Sequence, residues 1–357
     1  MGTSNIRPIE SSVIIAGQFW HGSLEGSLVR AFEQLGWSVT RWDLPATLQR
    51  YVKGWRVGEL IDRFLPIDAW HVKANRELVL AVQAVRPRLV IVGGAGPVRA
   101  SALGQIRASC PSTKLVLWWP DTLLRLNSHV LESLPLYDLV ASYSQAAVNV
   151  FKQLGASQVA WVPLAADPLL HSVDIEISNK QRRIFECDIG FIGNHRPERE
   201  QAILALLQEG FNVKVWGHSE WRRDAADRSA VRRYWQGRPL YGDDFVRAVI
   251  CSRVNLNPID STNYPAANMR FFELLACGGL ALNSACPEMA NMFVNQETTC
   301  YYQDQSELVS MAKELVNQPL RRREIADAGQ RMVLESHTYV HRVSKVLQVV
   351  NLERNQT

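Results

Sequence analysis

The stretch NMRFFELLACGGLAL, running from Asn268 to Leu282, sets Arg270 and Glu273 three residues apart in an otherwise apolar helical pattern that ends at Gly278 and Gly279. Residues at that spacing share one side of a helix, so the guanidinium and the carboxylate lie on one edge while Phe271, Leu274 and Leu275 take the buried face. A helix start offers free N–H groups and a partial positive charge, which suits a phosphate, and Asn268 stands where it can either cap the helix or touch that ligand. Glu273, one turn further in, is poorly placed for phosphate. It is well placed to accept hydrogen bonds from two neighbouring sugar hydroxyls, as on a ribose, and phosphate plus ribose is a nucleotide. The plainer alternative is a surface carboxylate that favours the helix dipole and pairs with Arg270, worth about a few tenths of a kcal/mol.

The elements that must position such residues are legible as alternating short apolar runs and helical patterns. SVIIAG, SVTRWD, RLVIVGG, KLVLWWP, DLVASYS and VAWVPLA form a first series, and CDIGFIG, NVKVWG, VNLNPI, LALNSA and CYYQ a second. Apolar runs separated by helices predict parallel, helix-covered sheets. The polar stretch DPLLHSVDIEISNKQRRIF, residues 167–185, breaks the rhythm and marks a boundary between two domains. The expected fold is therefore α/β, with two doubly wound Rossmann-like domains facing across a cleft at the carboxyl ends of their strands. Candidate residues fall just after strands: His21, Gly93, Gly94 and Gly96, Asp121, Asn194 to Arg199, and Asn268 to Glu273.

Composition narrows the class. The chain has 357 residues, 47% hydrophobic and 21% charged, enough for two ordinary cores. A net charge of +4 favours anionic ligands in general and falls short of a nucleic-acid-binding signature. The N-terminus has no signal-peptide pattern and no long apolar run occurs, so a cytoplasmic protein is expected. Six scattered cysteines without a C-x-x-C pair read as reduced core thiols, and the eight histidines form no zinc motif. GQFWHGSLEGS lacks the G-x-G-x-x-G fingerprint, so hydride chemistry with a nicotinamide cofactor is not supported. RYVKGWRVGELIDRFLPIDAW, residues 50–70, mixes cations and aromatics in a pattern suited to peripheral contact with the inner face of an anionic membrane, or to an ordinary solvated helix.

Five pieces occur in order between Cys187 and Arg342: CDIGFIGNHRPERE, VKVWGHSEW, YGDDFVRAVICSRVNLNP, NMRFFELLACGGLAL and ESHTYVHR. In that order they resemble the C-terminal domain of GT-B glycosyltransferases, specifically the CgeB-like, spore-maturation-type branch of the group 1 glycosyltransferases. The first half resembles the family's acceptor domain more loosely, through LYDLVASYSQAAVNVFKQLGASQVAWVPLAADP. The resemblance implies an N-terminal acceptor-binding domain over 1–166, a linker over 167–185, a nucleotide-sugar donor domain over 186–335 and a C-terminal helix over 336–357. It implies a hexosyltransferase-type enzyme that needs no cofactor or metal and moves a sugar from a nucleotide-sugar donor to a glycan, lipid-linked or protein acceptor, such as a flagellin serine or threonine. Nucleic acid is not an expected partner.

By the same resemblance Glu273 matches the donor-ribose glutamate, with Asn268 and Arg270 facing the phosphates. Asn194, Arg196 and Arg199 in GNHRPERE match the loop where relatives place basic side chains on the diphosphate, and Tyr241 in PLYGDDF matches a loop flanking the base. Trp216 reads as packing, and His337 and Arg342 as structural. His21 is a candidate general base for an acceptor hydroxyl, or a solvent-exposed loop residue. Asp121 could deprotonate the acceptor, orient His21 or contact the donor sugar, or it could cap the helix beginning TLLRL. In the wider retaining group Glu273 is the second glutamate of an E-x7-E pair, and Pro265 occupies the first position here. That departure opens the alternative of a nucleotide-sugar-binding or regulatory protein without turnover.

Overall fold

The computed structural model describes residues 11–52, 58, 68–94, 98–172 and 174–353. Every apolar run named above is a strand. β1 (Ser12–Gly17), β2 (Ser38–Asp43), β3 (Leu89–Gly93), β4 (Lys114–Trp119), β5 (Leu139–Ser142) and β6 (Val159–Trp161) form one parallel sheet, in the order β2-β1-β3-β4-β5-β6. β7 (Cys187–Ile192), β8 (Val213–Trp216), β9 (Ser252–Asn257), β10 (Ala281–Ser284) and β11 (Cys300–Tyr302) form a second, in the order β11-β10-β9-β7-β8. Strands such as SVIIAG and LVIVG are buried on both faces, as helix-covered parallel sheets require. The expected α/β class with two Rossmann-like sheets is borne out.

In each sheet the first strand has its successor on one side and the third on the other. The order therefore reverses between β1 and β3, and again between β7 and β9. Ligands of open α/β sheets bind outside the carboxyl ends of the strands at these reversals.

The chain divides into two compact units, residues 1–163 with 340–357, and Leu164–Tyr339. The stretch read as a linker carries two helices, Pro168–His171 and Asn179–Phe185, and lies inside the second unit. Its polar composition hid them, although Ser178 and Gln181 make a capping box that begins the second. The helix Tyr339–Val349 falls mostly in the first unit, where Arg342 donates from Nε to the Pro163 carbonyl at 2.8 Å. His337 is buried against Phe272 and Phe293 in the second. Most of the cationic and aromatic stretch 50–70, including Lys53, Trp55, Arg56, Leu60, Arg63 and Phe64, lies outside the described residues, as does Gly96. No helix among the described residues is long and apolar enough to cross a membrane.

At the reversal of the first sheet sits a carboxyl group that the sequence reading passed over. Glu25, in the first turn of the helix Leu24–Gln34, is 8% exposed and fills the space beside Gly17 and Gly93, at the ends of β1 and β3. A Cβ on Gly17 would stand 2.5 Å from Glu25 Oε1, and one on Gly93 closer still. Burial pushes the Glu25 pKa up and the Asp43 carboxylate adds to it, while the backbone N–H groups of Glu25 and Gln18 oppose the shift. A carboxyl raised in this way favours folding while protonated and disfavours it as pH climbs through its unfolded value and then its folded one. Glu25→Gln is therefore expected to raise the melting temperature relative to wild type at pH 8. The gain should fade toward pH 4, as calorimetry at the two pH values would read; a gain independent of pH would mean that the carboxyl is not the cause.

Candidate functional site

The reversal between β7 and β9 lies within the second unit and gathers three segments: residues 193–199 after β7, of which the last three begin the helix Pro197–Gln208, the loop 258–268 after β9, and the helix Met269–Ala276. That helix begins and ends where its sequence predicts. Asn268 is its N-cap, accepting from the Phe271 N–H at 3.1 Å. Gly278, at φ +75°, turns the chain left-handed after Cys277, and the N–H groups of Gly278 and Gly279 return to the Leu275 and Leu274 carbonyls.

Asn268 is also tied sideways. Asn268 and Asn257 each donate an amide N–H to the other's side-chain oxygen, at 2.9 and 3.1 Å. Asn257 donates in turn to Asn283 at 2.8 Å, and Asn283 to Thr299 at 2.9 Å. This ladder of side chains crosses β9 and β10 and hangs the helix start from the sheet. The structure shows the capping role of Asn268. Asn268→Ala should cost about 1–3 kcal/mol, through a lost cap and an Asn257 side-chain oxygen left without its donor, read as a lower melting temperature.

Glu273 is not at the surface. It is 3% exposed, with Arg270 Nη1 donating to Oε2 and His171 Nε2 standing 3.7 Å from Oε1. His171 Nδ1 accepts the Asp167 N–H at 3.2 Å, which leaves Nε2 as the ring nitrogen facing the carboxylate. The reading of a surface ion pair worth little is thereby overturned. Arg270 covers the carboxylate: Nε donates to the Ile192 carbonyl at 3.1 Å, and the guanidinium lies 4.6 Å over the Phe245 ring. His171 and Phe245 belong to this cluster and went unnoticed in the sequence, since nothing in their local spacing ties them to Glu273.

The two arginines of GNHRPERE have different surroundings. Arg196 is half-exposed and pairs with Asp260 at 2.9 Å. Burial works against Asp260 ionising, but the Thr262 N–H and hydroxyl, Arg196 and the nearby Arg199 charge hold its carboxyl below the usual range. Arg199 donates to two carbonyls, Pro258 at 3.4 Å and Asn194 at 2.9 Å, and lies over the Phe191 ring. Among the described residues no carboxylate comes within ion-pair distance of it. Burial lowers the Arg199 pKa, Asp260 opposes that, and the Arg196 and Arg270 charges add to it. Three guanidiniums thus converge at the reversal, and one of them lacks a counter-ion.

The remaining candidates fall as follows. Asn194 is exposed and contributes its carbonyl to Arg199. Tyr241 is 42% exposed, with its hydroxyl 3.0 Å from His218 Nε2. Trp216 is buried against Phe185, as packing predicts. In the first unit His21 is exposed in the turn after β1, and Asp121 follows β4. Asp121 is not the N-cap expected of it. Thr122 caps a three-residue 3-10 turn, Leu123–Arg125, and Asp121 Oδ1 accepts the Thr122 N–H at 2.7 Å, because Pro120 sets the turn one residue later than the helical pattern implied. Among the described residues no cluster of three His, Cys, Asp or Glu side chains is arranged to hold a metal ion.

Comparison with known structures decides the architecture. The chain is similar to sucrose-phosphate synthase from Thermosynechococcus elongatus at 12% identity and a TM-score of 0.66, over 96% of this chain and 98% of that one. It is similar to a glycosyltransferase from Rickettsia africae ESF-5 at 9% identity and a TM-score of 0.68, over 97% and 99%. The fold is GT-B. A third GT-B likeness is Anabaena HepE in complex with UDP-glucose, at 13% identity and a TM-score of 0.61, over 95% and 99%. The family model described as glycosyl transferase-like matches residues 196–348, which include Arg196, Arg199, Arg270 and Glu273. No curated protein matches the chain.

Proposed function

We propose that this GT-B chain is a glycosyltransferase whose second unit binds a nucleoside diphosphate sugar at the β7/β9 reversal. The observation that carries the reading is Arg199, a partly buried guanidinium whose hydrogen bonds go only to carbonyls, at the point where a doubly wound sheet takes its ligand. A diphosphate supplies the missing counter-charge, and a guanidinium fork stabilises it as it leaves, in the role a divalent cation fills elsewhere. Glu273 takes the ribose hydroxyls once Arg270 swings from the carboxylate toward the phosphates, while Asn194, Arg196 and Tyr241 line the rim. The match over residues 196–348 supports sugar transfer, and the UDP-glucose held by HepE makes uridine diphosphate the first nucleotide to try. Placement in the CgeB-like branch, a glycan, lipid-linked or protein acceptor, and His21 as base with Asp121 beside the acceptor belong to the same proposal.

The test is calorimetric titration with UDP, GDP, dTDP and CMP, followed by an assay for acceptor-dependent release of free nucleotide. Binding of one nucleotide with release that needs acceptor is the expected result; absence of any binding would end the reading. One observation favours a second reading, a binder without turnover: Pro265 stands where the wider retaining group carries its first glutamate. Affinity without acceptor-dependent release would identify it.

A further inference from the structure

Residues 220–238 contain six arginines (222, 223, 228, 232, 233 and 238) against three acids, Glu220, Asp224 and Asp227, a surplus of three positive charges by subtraction. The segment is held against the outer edge of the second sheet. Trp235 bridges β8 at Val215, and Gln236 N–H donates to the Val215 carbonyl at 2.9 Å. The Trp235 indole donates to the Gly217 carbonyl at 3.0 Å, the Trp221 indole to the Gly193 carbonyl at 2.8 Å, and Trp221 and Tyr234 are fully buried.

Pinned in this way, the segment shapes an open cavity of about 830 Å³ lined by Arg222, Arg228, Arg232, Val231 and Trp235. Two of the three local acids are engaged elsewhere, and the Glu220 Oε2 is buried without a hydrogen-bond partner among the described residues. Asp224 pairs with Arg223, and Asp227 accepts from the Ser229 N–H and hydroxyl and the Ala230 N–H. Arg238 is matched by Asp244 from the next helix. Arg228 donates to the Arg223 carbonyl at 2.9 Å, and no carboxylate pairs with Arg222, Arg228 or Arg232 among the described residues. Three exposed guanidiniums around one hollow, none paired with a carboxylate, give it a positive field that attracts an anion.

We infer that this cavity is a second anion site, distinct from the β7/β9 reversal, and that it takes a phosphate-bearing ligand. A phosphate presents several oxygens to several guanidinium forks at once, which a single carboxylate does not. The same chemistry is offered by a soluble phosphorylated compound and by the headgroup of an anionic phospholipid.

The experiment uses the full chain in three forms: wild type, Arg199→Gln, and the triple variant Arg222→Gln/Arg228→Gln/Arg232→Gln. Each is titrated with inorganic pyrophosphate by calorimetry and sedimented with vesicles of phosphatidylglycerol or of phosphatidylcholine. A pyrophosphate site that survives Arg199→Gln and weakens at least about tenfold in the triple variant supports the inference and points to a soluble ligand. Binding to phosphatidylglycerol but not phosphatidylcholine vesicles, lost in the triple variant, supports it with a headgroup as the ligand. If wild type binds neither probe, or the triple variant binds as wild type does, the inference is overturned. Should the triple variant fail to fold, Arg232→Gln alone, at an exposed position, is expected to weaken the same binding several-fold.

Discussion

Arg199→Gln is expected to weaken nucleoside diphosphate binding by about 10- to 100-fold, the equivalent of roughly 1.5–3 kcal/mol for a charge-assisted hydrogen bond lost to a ligand. Its melting temperature should stay close to that of wild type. The folded chain gains little from this guanidinium: its partners are two carbonyls, one at 3.4 Å, and the favourable Asp260 charge is set against those of Arg196 and Arg270. The loss should therefore appear in affinity and in its salt dependence, not in stability. Arg196→Gln makes the internal comparison. Its charge is already answered by Asp260, so its effect on the same titration should be the smaller of the two. Equal affinity in Arg199→Gln and wild type would show that the unmatched guanidinium has nothing to do with the ligand.

Glu273→Ala is expected to lower both affinity and stability. Breaking a buried ion pair from one side costs about 3–5 kcal/mol when the abandoned charge is fully buried. Arg270 keeps 31% of its side chain exposed, so water softens the loss, and about 2–3 kcal/mol is expected here. Scanning calorimetry would read it as a lower melting temperature, with Glu273→Gln intermediate because its oxygen still accepts from Arg270. A reading of Glu273 from the sequence alone, as a carboxylate serving ligand only, predicts almost no change in folding, and the burial of its side chain corrects that. If the alanine variant melts with wild type, the Arg270 and His171 contacts are not stabilising. If it binds nucleotide with wild-type affinity, Glu273 does not reach the ribose.

The strands were legible because a parallel sheet covered on both faces demands unbroken apolar runs, and SVIIAG, RLVIV and KLVLWW are such runs. The Met269 helix was legible for a different reason: its cap, its apolar face and its terminating glycines are all local signals. What joins that helix to the rest is not local. Asp260 lies 64 residues from Arg196, and His171 lies 102 from Glu273, by subtraction of their numbers, so only the folded chain brings them together. Glu25 was hidden in the opposite way. It looks like an ordinary acid in a helix's first turn, and only the glycines at two strand ends, of which Gly93 is distant in sequence, show that its carboxyl is enclosed. The helices within 167–185 were missed because a polar composition reads as a linker even where a capping box is present.

All six cysteines are buried and free, and burial pushes the Cys187 thiol up to about 11 and those of Cys286 and Cys300 up to about 12. The thiolate is the reactive form, so these groups stay inert to maleimides near neutral pH. One cysteine introduced at the exposed Thr262, beside the Asp260 carboxylate, would then take a fluorophore alone, with no native thiol to remove first. The untouched core makes the protein a ready-made optical reporter, in which the surroundings of the 258–268 loop can be followed by fluorescence in real time.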